Sequence, residues 1–421
     1  MRFRSVIILL CCIMLINVNA QQGKDSVKNN YQKITLQEAV EVALKNNPNL
    51  TVNKYEIESL EKLKIQAGLT PNPEAGFEAE DFLGRKELSG IKGSQYTLSG
   101  SQLFELGGKK SSRIYLAETQ IVSSKGEYEL LKFDAVANVK ATFILLYQIQ
   151  RQSEQQSKFV ELNEEILKTI SDRVKAGRTS PAEESKVKVV LTNSQIKFDR
   201  LQRNYSSIQT QLNSLLGTTG QNLIPITDLF DSIATPTTRE EVIDDIEAIP
   251  SIKNLENEVN VRQAAIELEK SLAIPDLTVS GGVRYLNELK TNSFIAGVSI
   301  PLPFFNRNQG NIASAEVRLE QMDAIINRRK LSVIARINTV YNNLLSAHNN
   351  SLQLKNNIKP QAEKAYEITR QGYLQGRFAF IDLLDAQRTL FDTEAQYLLE
   401  LADYYNSLIE LENITGKTFI K

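Results

Sequence analysis

Tryptophan is absent from the 421 residues, and the chain has only one histidine, His348, and two cysteines. A metal site needs several ligands at suitable spacing, and one histidine without partners makes a poor one. No nucleophile–base constellation is evident. The segment GGKKSS at 107–112 lacks the earlier glycine of a phosphate-binding loop. We therefore expect neither an enzyme nor a protein with a bound cofactor or metal.

Neither sign of charge dominates, since 49 basic side chains stand against 50 acidic ones and the formal net charge is −1. A nearly neutral chain lacks the positive field that favours nucleic acid, so no nucleic-acid partner is expected. Beyond the N-terminus, no apolar run approaches the ~20 residues that a transmembrane helix requires. An exported chain can nevertheless enter a membrane if it uses strands.

The first 20 residues have the pattern of a secretory signal peptide. Arg2 and Arg4 provide a positive start, an apolar run follows, and a small residue at Ala20 predicts cleavage there. Both cysteines lie in this segment, so cleavage would leave a chain without thiol chemistry or disulfides. A lipid anchor on Cys12 is the alternative, although the residues before it lack the usual small side chain.

Two long segments of the chain repeat each other. Gly177-Arg178 and Gly376-Arg377 occupy matching positions 199 residues apart (376 − 177). Each pair is followed by apolar residues at seven-residue spacing, which predicts helices in a left-handed coiled coil. These columns are Leu191, Phe198, Tyr205 and Leu212 in the first copy and Leu390, Tyr397, Tyr404 and Leu411 in the second. The shared turn and column indicate an internal duplication.

The duplication predicts two repeats, at 34–220 and 239–421, separated by a linker or equatorial region at 221–238. Polar residues 21–33 before the first repeat are expected to be a flexible N-terminus. Each repeat should contain a helix, a strand pair and a long helical hairpin. The strand pairs are predicted at about 71–104 and 275–303, and the hairpins at about 109–216 and 309–415. Their long helices would span roughly 100 Å, more than a compact core requires.

The strand segments alternate apolar residues with small or polar ones, so each strand has one apolar face. Their length of about ten residues suits a tilted membrane strand. A sheet packed on a soluble core is the alternative, and a two-residue period alone does not distinguish the two. The signal peptide and the long helices favour the membrane. Four strands cannot close a barrel, so two or three chains would have to combine.

Three motifs together resemble those of the TolC-like outer membrane efflux proteins, over about residues 34–417. They are ITLQEAVEVALKNNPNL at 34–50, IPLPFFNRNQG at 300–310 (paired in the first half with SQLFELGGKK) and GRFAFIDLLDAQRTLFDTEAQYLLELADYYNSLIELENITG at 376–416. PLPFFNRNQG and the ending LENITG are most similar to the branch that serves cation efflux of the cobalt–zinc–cadmium type.

The resemblance implies a homotrimer with an outer-membrane β-barrel, four strands from each chain, surrounded by outer-membrane lipid. The barrel would be continuous with a long α-helical coiled-coil barrel in the periplasm of a Gram-negative bacterium. It implies a passive conduit that works with a periplasmic adaptor (a membrane fusion protein) and an inner-membrane efflux pump, with heavy-metal cations as the cargo of this branch. The alternative is a periplasmic coiled-coil adaptor or scaffold, but an adaptor would carry one hairpin rather than two related ones.

The resemblance also implies a gate. Tyr373, three residues before Gly376, and Asp382 and Asp385, six and nine after it, match residues of the family's constriction, where acids from three chains form a ring. The turns Gly177-Arg178 and Gly376-Arg377 match the periplasmic tips at which the adaptor docks. The family prototype has an arginine where Phe378 stands, so the bonding of the closed state is expected to differ.

Simpler roles are open for the same residues. Asp382 and Asp385 lie in the first turns of a helix, where acids are favoured by the helix dipole. Glu183, the counterpart of Asp382 in the first repeat, is expected to form a capping box with Ser180. Arg284, on the polar face of its strand, is expected to point into the lumen or to remain at the surface.

Overall fold

A computed structural model describes residues 31–86, 90–231 and 233–420. The predicted signal peptide at 1–20 and most of the predicted flexible segment at 21–33 lie outside the described residues. None of the described helices combines the length and the apolar character needed to cross a bilayer.

The first half contains two short helices and one very long helical hairpin. Helix α1 is capped by Thr35 in a capping box, in which the Thr35 backbone N–H donates to Glu38 at 2.8 Å. Asn47 caps α2 by accepting from the backbone N–H groups of Asn49 and Leu50. The helices are α1 (Leu36–Asn46), α2 (Pro48–Ala67), α3 (Lys109–Lys175) and α4 (Pro181–Leu215).

The second half follows the same order, with one difference in its long helix. The elements are α5 (Arg239–Val242), α6 (Pro250–Leu272), α7 (Gln309–Gln353), a π-helical turn (Leu354–Ile358), α8 (Lys359–Leu374) and α9 (Phe380–Thr415). The sequence pattern predicts an uninterrupted helix here. The π turn ends two residues before Pro360, which has no N–H to donate and whose ring would clash with the carbonyl one turn earlier in a regular helix.

Four strands form one antiparallel sheet in the order β2-β3-β5-β6. They are β2 (Glu74–Glu80), β3 (Gln95–Phe104), β5 (Leu277–Leu286) and β6 (Thr291–Ser299). The central contact joins the two halves, with Leu98 opposite Val283 and Phe104 opposite Leu277. In the described chain, β2 and β6 are therefore edge strands without an outer partner.

A second, small sheet corrects two expectations. Strand β1 (Tyr31–Ile34) pairs in parallel with β4 (Asn222–Pro225). The sequence assigned 31–33 to a flexible segment and 222–225 to a linker, because four-residue strands carry too few residues to show a periodic pattern. Ile34 and Leu223 from these strands are buried together with residues of α1, α3 and α4.

The cores are extended clusters along the helices. The largest lies beside the linker and holds Tyr404, Tyr405 and Leu411 of α9 together with α7 residues such as Ile337 and Leu344. Two residues of the predicted seven-residue column, Tyr404 and Leu411, are therefore buried there, and Tyr397 packs against them partly buried. Tyr404 donates from its hydroxyl to the Ala234 carbonyl at 2.7 Å. A smaller cluster lies at the far ends of the hairpins, where the predicted gate residues are found.

Candidate pore constriction and docking tips

Both hairpins turn through the same backbone conformation. Gly177 and Gly376 have φ values of 65° and 72°, in the left-handed region that favours glycine. The N–H of Arg178 bonds to the Arg173 carbonyl at 2.9 Å, and that of Arg377 bonds to the Gly372 carbonyl at 2.8 Å. These are the bonds of a Schellman-type helix end. The arginines that follow the glycines are exposed, so each tip presents one guanidinium to solvent.

Tyr373 lies in the contact between the two hairpins. Its ring is 8% exposed, packs against Phe380 at a centroid distance of 5.6 Å, and lies 5.0 Å from the guanidinium carbon of Arg173 on α3. Its hydroxyl has no hydrogen-bond partner among the described residues. Burial raises the pKa of Tyr373, and the positive charge of Arg173 opposes this rise. Tyr373 therefore anchors the second hairpin to the first and leaves a hydroxyl unused.

The two acids are exposed at the start of α9. One carboxylate oxygen of Asp382 accepts from the N–H of Ala379 at 3.0 Å, so this residue caps its own helix in addition to lying where the helix dipole favours an acid. The side chain of Asp385 has no hydrogen bond or ion pair within the described part of the chain; only its carbonyl is used, by Thr389. The cap leaves the second oxygen of Asp382 available to other groups.

A cleft of about 640 Å³ brings these acids together with two basic side chains. It runs across α3 between α4 and α9, and its lining includes Asp382, Asp385, Lys197 and Arg388. Its floor contains Gln387, which is buried and donates to Asn163 at 3.4 Å, while its own Oε1 atom has no partner among the described residues. The sequence pattern does not predict this buried amide pair. Its only signal is that Gln387 lies four residues after Leu383 and three before Leu390, at the spacing of the apolar positions.

The first repeat does not form the predicted capping box. Ser180 accepts from the N–H of Ala182 at 3.2 Å, and Pro181 is the first helical residue, as expected. Glu183, however, accepts from the Thr179 hydroxyl at 2.5 Å rather than from the backbone of Ser180. Thr179 offers a side-chain donor beside the cap residue, and this donor competes successfully for the carboxylate.

Phe378 packs on Gly372. A Cβ atom at Gly372 would overlap the Phe378 ring, so the glycine is required for this close approach. The ring thus holds the loop after the turn against the last turn of α8 by packing.

The structure places the predicted site residues in three different locations. Tyr373 is buried between the hairpins, Asp382 and Asp385 line one cleft, and Arg178 and Arg377 are at the exposed tips.

The described residues contain no group of three or more histidine, cysteine, aspartate or glutamate side chains arranged to hold a metal ion.

Comparisons with known proteins agree with this architecture. The family model described as "Outer membrane efflux protein" matches residues 39–218 and 246–417. The chain is 29% identical to the cobalt-zinc-cadmium resistance protein CzcC of Cupriavidus metallidurans, over 91% of this chain and 90% of that protein. Its fold is similar to that of CusC (TM-score 0.73, 16% identity, 90% and 91% coverage). It is also similar to the outer membrane protein VceC of Vibrio cholerae (TM-score 0.70, 17% identity, 91% and 97% coverage).

A small strand sheet continued by two very long helical hairpins is the fold of the TolC-like outer-membrane channels. The chain belongs to the outer membrane efflux protein family. It is an outer-membrane efflux channel with a large helical part in the periplasm, and this family membership replaces the alternative of a periplasmic adaptor or scaffold. The family is one of transport components.

Proposed function

We propose that three copies of the chain form one passive conduit across the outer membrane. The observation that carries this proposal is the sheet. Its β2 and β6 edges are unpaired, and its apolar face is bare, with Phe294 88% and Val298 70% exposed. Unpaired strand edges are not tolerated in hydrocarbon. Three chains would join β2 of one copy to β6 of the next, giving twelve strands with the apolar face toward lipid.

The long hairpins need the same association. Apolar side chains on the outer surfaces of the helices remain exposed in the single chain, for example Tyr55, Val189 and Ile368. In a trimer these surfaces can be covered by the neighbouring chains, and the hairpins would continue the barrel as a periplasmic tunnel. We propose that the two repeats, 34–220 and 239–421, arose by duplication and supply equivalent parts of this wall.

The constriction is proposed to lie at the tips of the second hairpins. Asp382 and Asp385 are exposed there. Tyr373, buried against Phe380 and Arg173, is proposed to hold the turn that presents them. Three copies would place six carboxylates around the axis, and charged rings of this kind attract cations. The exposed turns Gly177-Arg178 and Gly376-Arg377 are proposed to receive a periplasmic adaptor, which connects the conduit to an inner-membrane pump.

Heavy-metal cations are the proposed cargo. The support comes from CzcC, a cobalt-zinc-cadmium resistance protein, which is similar to this chain over nearly its whole length. The experiment that tests this cargo is growth of a deletion strain at increasing concentrations of cobalt, zinc and cadmium. We expect the deletion strain to tolerate less metal than its parent strain, and we expect the intact gene to restore this tolerance. Unchanged metal tolerance together with loss of tolerance to organic compounds would overturn the cargo and leave the conduit intact.

The gate is tested separately by recording single channels. Asp382→Ala combined with Asp385→Ala is expected to raise the conductance in planar bilayers and to weaken the block by multivalent cations, because the ring loses its charge. The control is Asp392→Ala, an exposed acid further along α9. Conductance and block that match those of the unmodified chain would remove these residues from the constriction.

A further inference from the structure

All charged side chains of the four membrane-type strands lie on one face of the sheet. β2 contributes Glu74, Glu78 and Glu80, β5 contributes Arg284, and β3 and β6 contribute none. The pairing register places Glu78, Thr97, Arg284 and Ser293 in a single row, while Phe77, Leu98, Val283 and Phe294 form a row on the opposite face. The charges are therefore confined to the face that the trimer turns away from lipid.

The burial pattern indicates that this charged face is concave. Along β5 and β6 the apolar side chains such as Val283 and Phe294 are exposed, whereas the polar-face residues between them are half-buried. Side chains on the inner face of a curved sheet crowd one another and lose exposure, so the pattern along β5 and β6 fits a sheet that curves toward the polar side. The curvature is the one needed for these residues to line the inside of a barrel.

Arg284 is held in place by three neighbours on this concave face. Its Nε donates to the Thr97 hydroxyl at 2.9 Å and one terminal nitrogen donates to the Gln95 amide oxygen at 3.2 Å. The other terminal nitrogen pairs with the Glu80 carboxylate at 3.0 Å. Thr97 is 2% exposed beneath it. The guanidinium is thus fixed against the strands and compensates one particular carboxylate.

The remaining two carboxylates are uncompensated. Glu74 and Glu78 are exposed and form no ion pair within the described residues. Each chain therefore contributes a net charge of −2 from its strands, three carboxylates less one guanidinium. The compensated pair lies where β2 ends and β3 begins, at the end of the sheet away from α3.

We propose that Arg284 sets the ion selectivity of the barrel segment. The inference rests on the proposed trimer, in which the concave face lines the lumen. Glu74 and Glu78 then favour cations along the strands, and Arg284 limits this preference near the outer exit by neutralising Glu80. Cations would meet a weaker attraction there than further inside, which lets them leave rather than remain bound.

The test is the reversal potential of the full-length channel in planar bilayers under a potassium chloride gradient. The recordings use Asp382→Asn with Asp385→Asn as the parent, so that the proposed gate does not dominate the result. Arg284→Gln is expected to raise the potassium-to-chloride permeability ratio roughly threefold. Glu80→Gln should lower it, and the Glu80→Gln/Arg284→Gln pair should return it to the parent value. Arg284→Lys is the matched control that keeps the charge and should resemble the parent.

The series separates charge from structure. If Arg284 acts only by supporting the strands, Arg284→Gln and the pair will change the ratio in the same direction, and this result would overturn the proposal. Equal ratios in all variants would overturn it as well. Failure of the parent chain to form channels at all would instead count against the proposed conduit. Migration as a heat-sensitive trimer on a denaturing gel confirms that each variant is assembled.

Discussion

At the scale of single residues, glycine has two different roles in the hairpin tips. Gly177 has open space around the position of a Cβ atom but a positive φ, whereas Gly372 is covered by the Phe378 ring. We expect Gly177→Ala to cost about 1 kcal/mol through its backbone conformation alone. Gly372→Ala must displace the ring and should loosen the second tip, measured as faster amide hydrogen exchange at residues 372–380.

The second glycine offers an internal control. Phe378→Ala removes the ring that a new Cβ would meet, so adding it to Gly372→Ala should restore much of the protection from exchange. No such rescue is expected for Gly177→Ala, since nothing packs on that position. Equal exchange in Gly372→Ala and in the double variant would contradict the packing role.

Substitutions of Tyr373 distinguish a packing role inside one chain from a hydrogen-bonding role between chains. Its hydroxyl has no partner among the described residues, so Tyr373→Phe should leave the stability of the hairpin nearly unchanged. The hydroxyl is buried in the single chain, so a bond to a neighbouring chain requires the tip to rearrange on assembly. In that case the same variant should raise the open probability in single-channel recordings. Tyr373→Ala should lower stability by about 3 kcal/mol because it empties a packed site. An unchanged open probability in Tyr373→Phe would limit this residue to packing.

Residue-level prediction from the sequence was partial for physical reasons. Spacing after Gly376 located Asp382 and Asp385 at the start of α9, where the helix dipole favours acids, but the cap that Asp382 forms on Ala379 was not predicted. The contacts of Tyr373 with Arg173 and of Gln387 with Asn163 join helices that are distant in sequence. Such contacts depend on how the hairpins pack, and one sequence does not contain that information.

At the scale of elements, a buried ion pair fixes the joint between the sheet and α3. Lys109 and Asp276 are 2.6 Å apart, with side chains only 7% and 24% exposed. Asp276→Asn leaves the lysine charge without its partner and should destabilise the joint by about 3 kcal/mol. The readout is the thermal unfolding midpoint in detergent. Glu118→Gln, which breaks the exposed pair with Lys64, should change stability by less than about 1 kcal/mol. A similar effect of both substitutions would argue against this role.

The contact between α3 and α4 at the first tip should weaken in acid. Glu184 accepts from Ser171 at 3.0 Å and pairs with Lys188 at 2.8 Å, and these bonds lower the pKa of Glu184, the one from Lys188 most. Because the folded-state pKa is depressed, the contribution is complete above the ordinary glutamate range and disappears as the pH falls below it. Amide exchange near Ser171 should therefore accelerate in acid. Glu184→Gln should show little of this pH dependence, and an identical dependence in both proteins would exclude Glu184 as its source.

Long elements were predictable and short ones were not. The periodic pattern located the α3 helix from Lys109 to Lys175, because 67 residues of consistent spacing leave little ambiguity. Strands β1 and β4 were missed since four residues give no period. The π turn at Leu354–Ile358 was also missed, although Pro360 in the middle of a long helix was its available signal.

At the scale of the whole molecule, the two similar halves are joined by pairing of β3 with β5. They differ at the hairpin tips, where Glu183 of the first repeat bonds to Thr179 and its counterpart Asp382 bonds to its own backbone cap. The counterpart of Asp385 in the first repeat is Lys186 (385 − 199), and the nearby Glu184 is paired with Lys188. Among the acids at these matched tip positions, Asp382 and Asp385 of the second repeat are exposed and form no ion pair within the described residues, which is why we place the constriction there.

The central claim is that separate chains close one barrel by pairing β2 with β6. Within one chain these strands are separated by β3 and β5, so Phe77 and Phe294 are three strand spacings apart, about 14 Å. A disulfide needs Cα atoms within roughly 7 Å, so cysteines at the two positions cannot join in the same chain. The sequence has no cysteine after Cys12 to interfere.

The most direct measurement is therefore disulfide formation between Phe77→Cys on β2 and a cysteine placed in turn at each position of β6, in cells, followed by non-reducing gels. The trimer predicts covalent dimers and trimers at one or two neighbouring registers and no larger products. Single-cysteine chains should remain monomeric on these gels. Absence of cross-links at every position of β6, or a ladder that continues beyond three chains, would contradict the account.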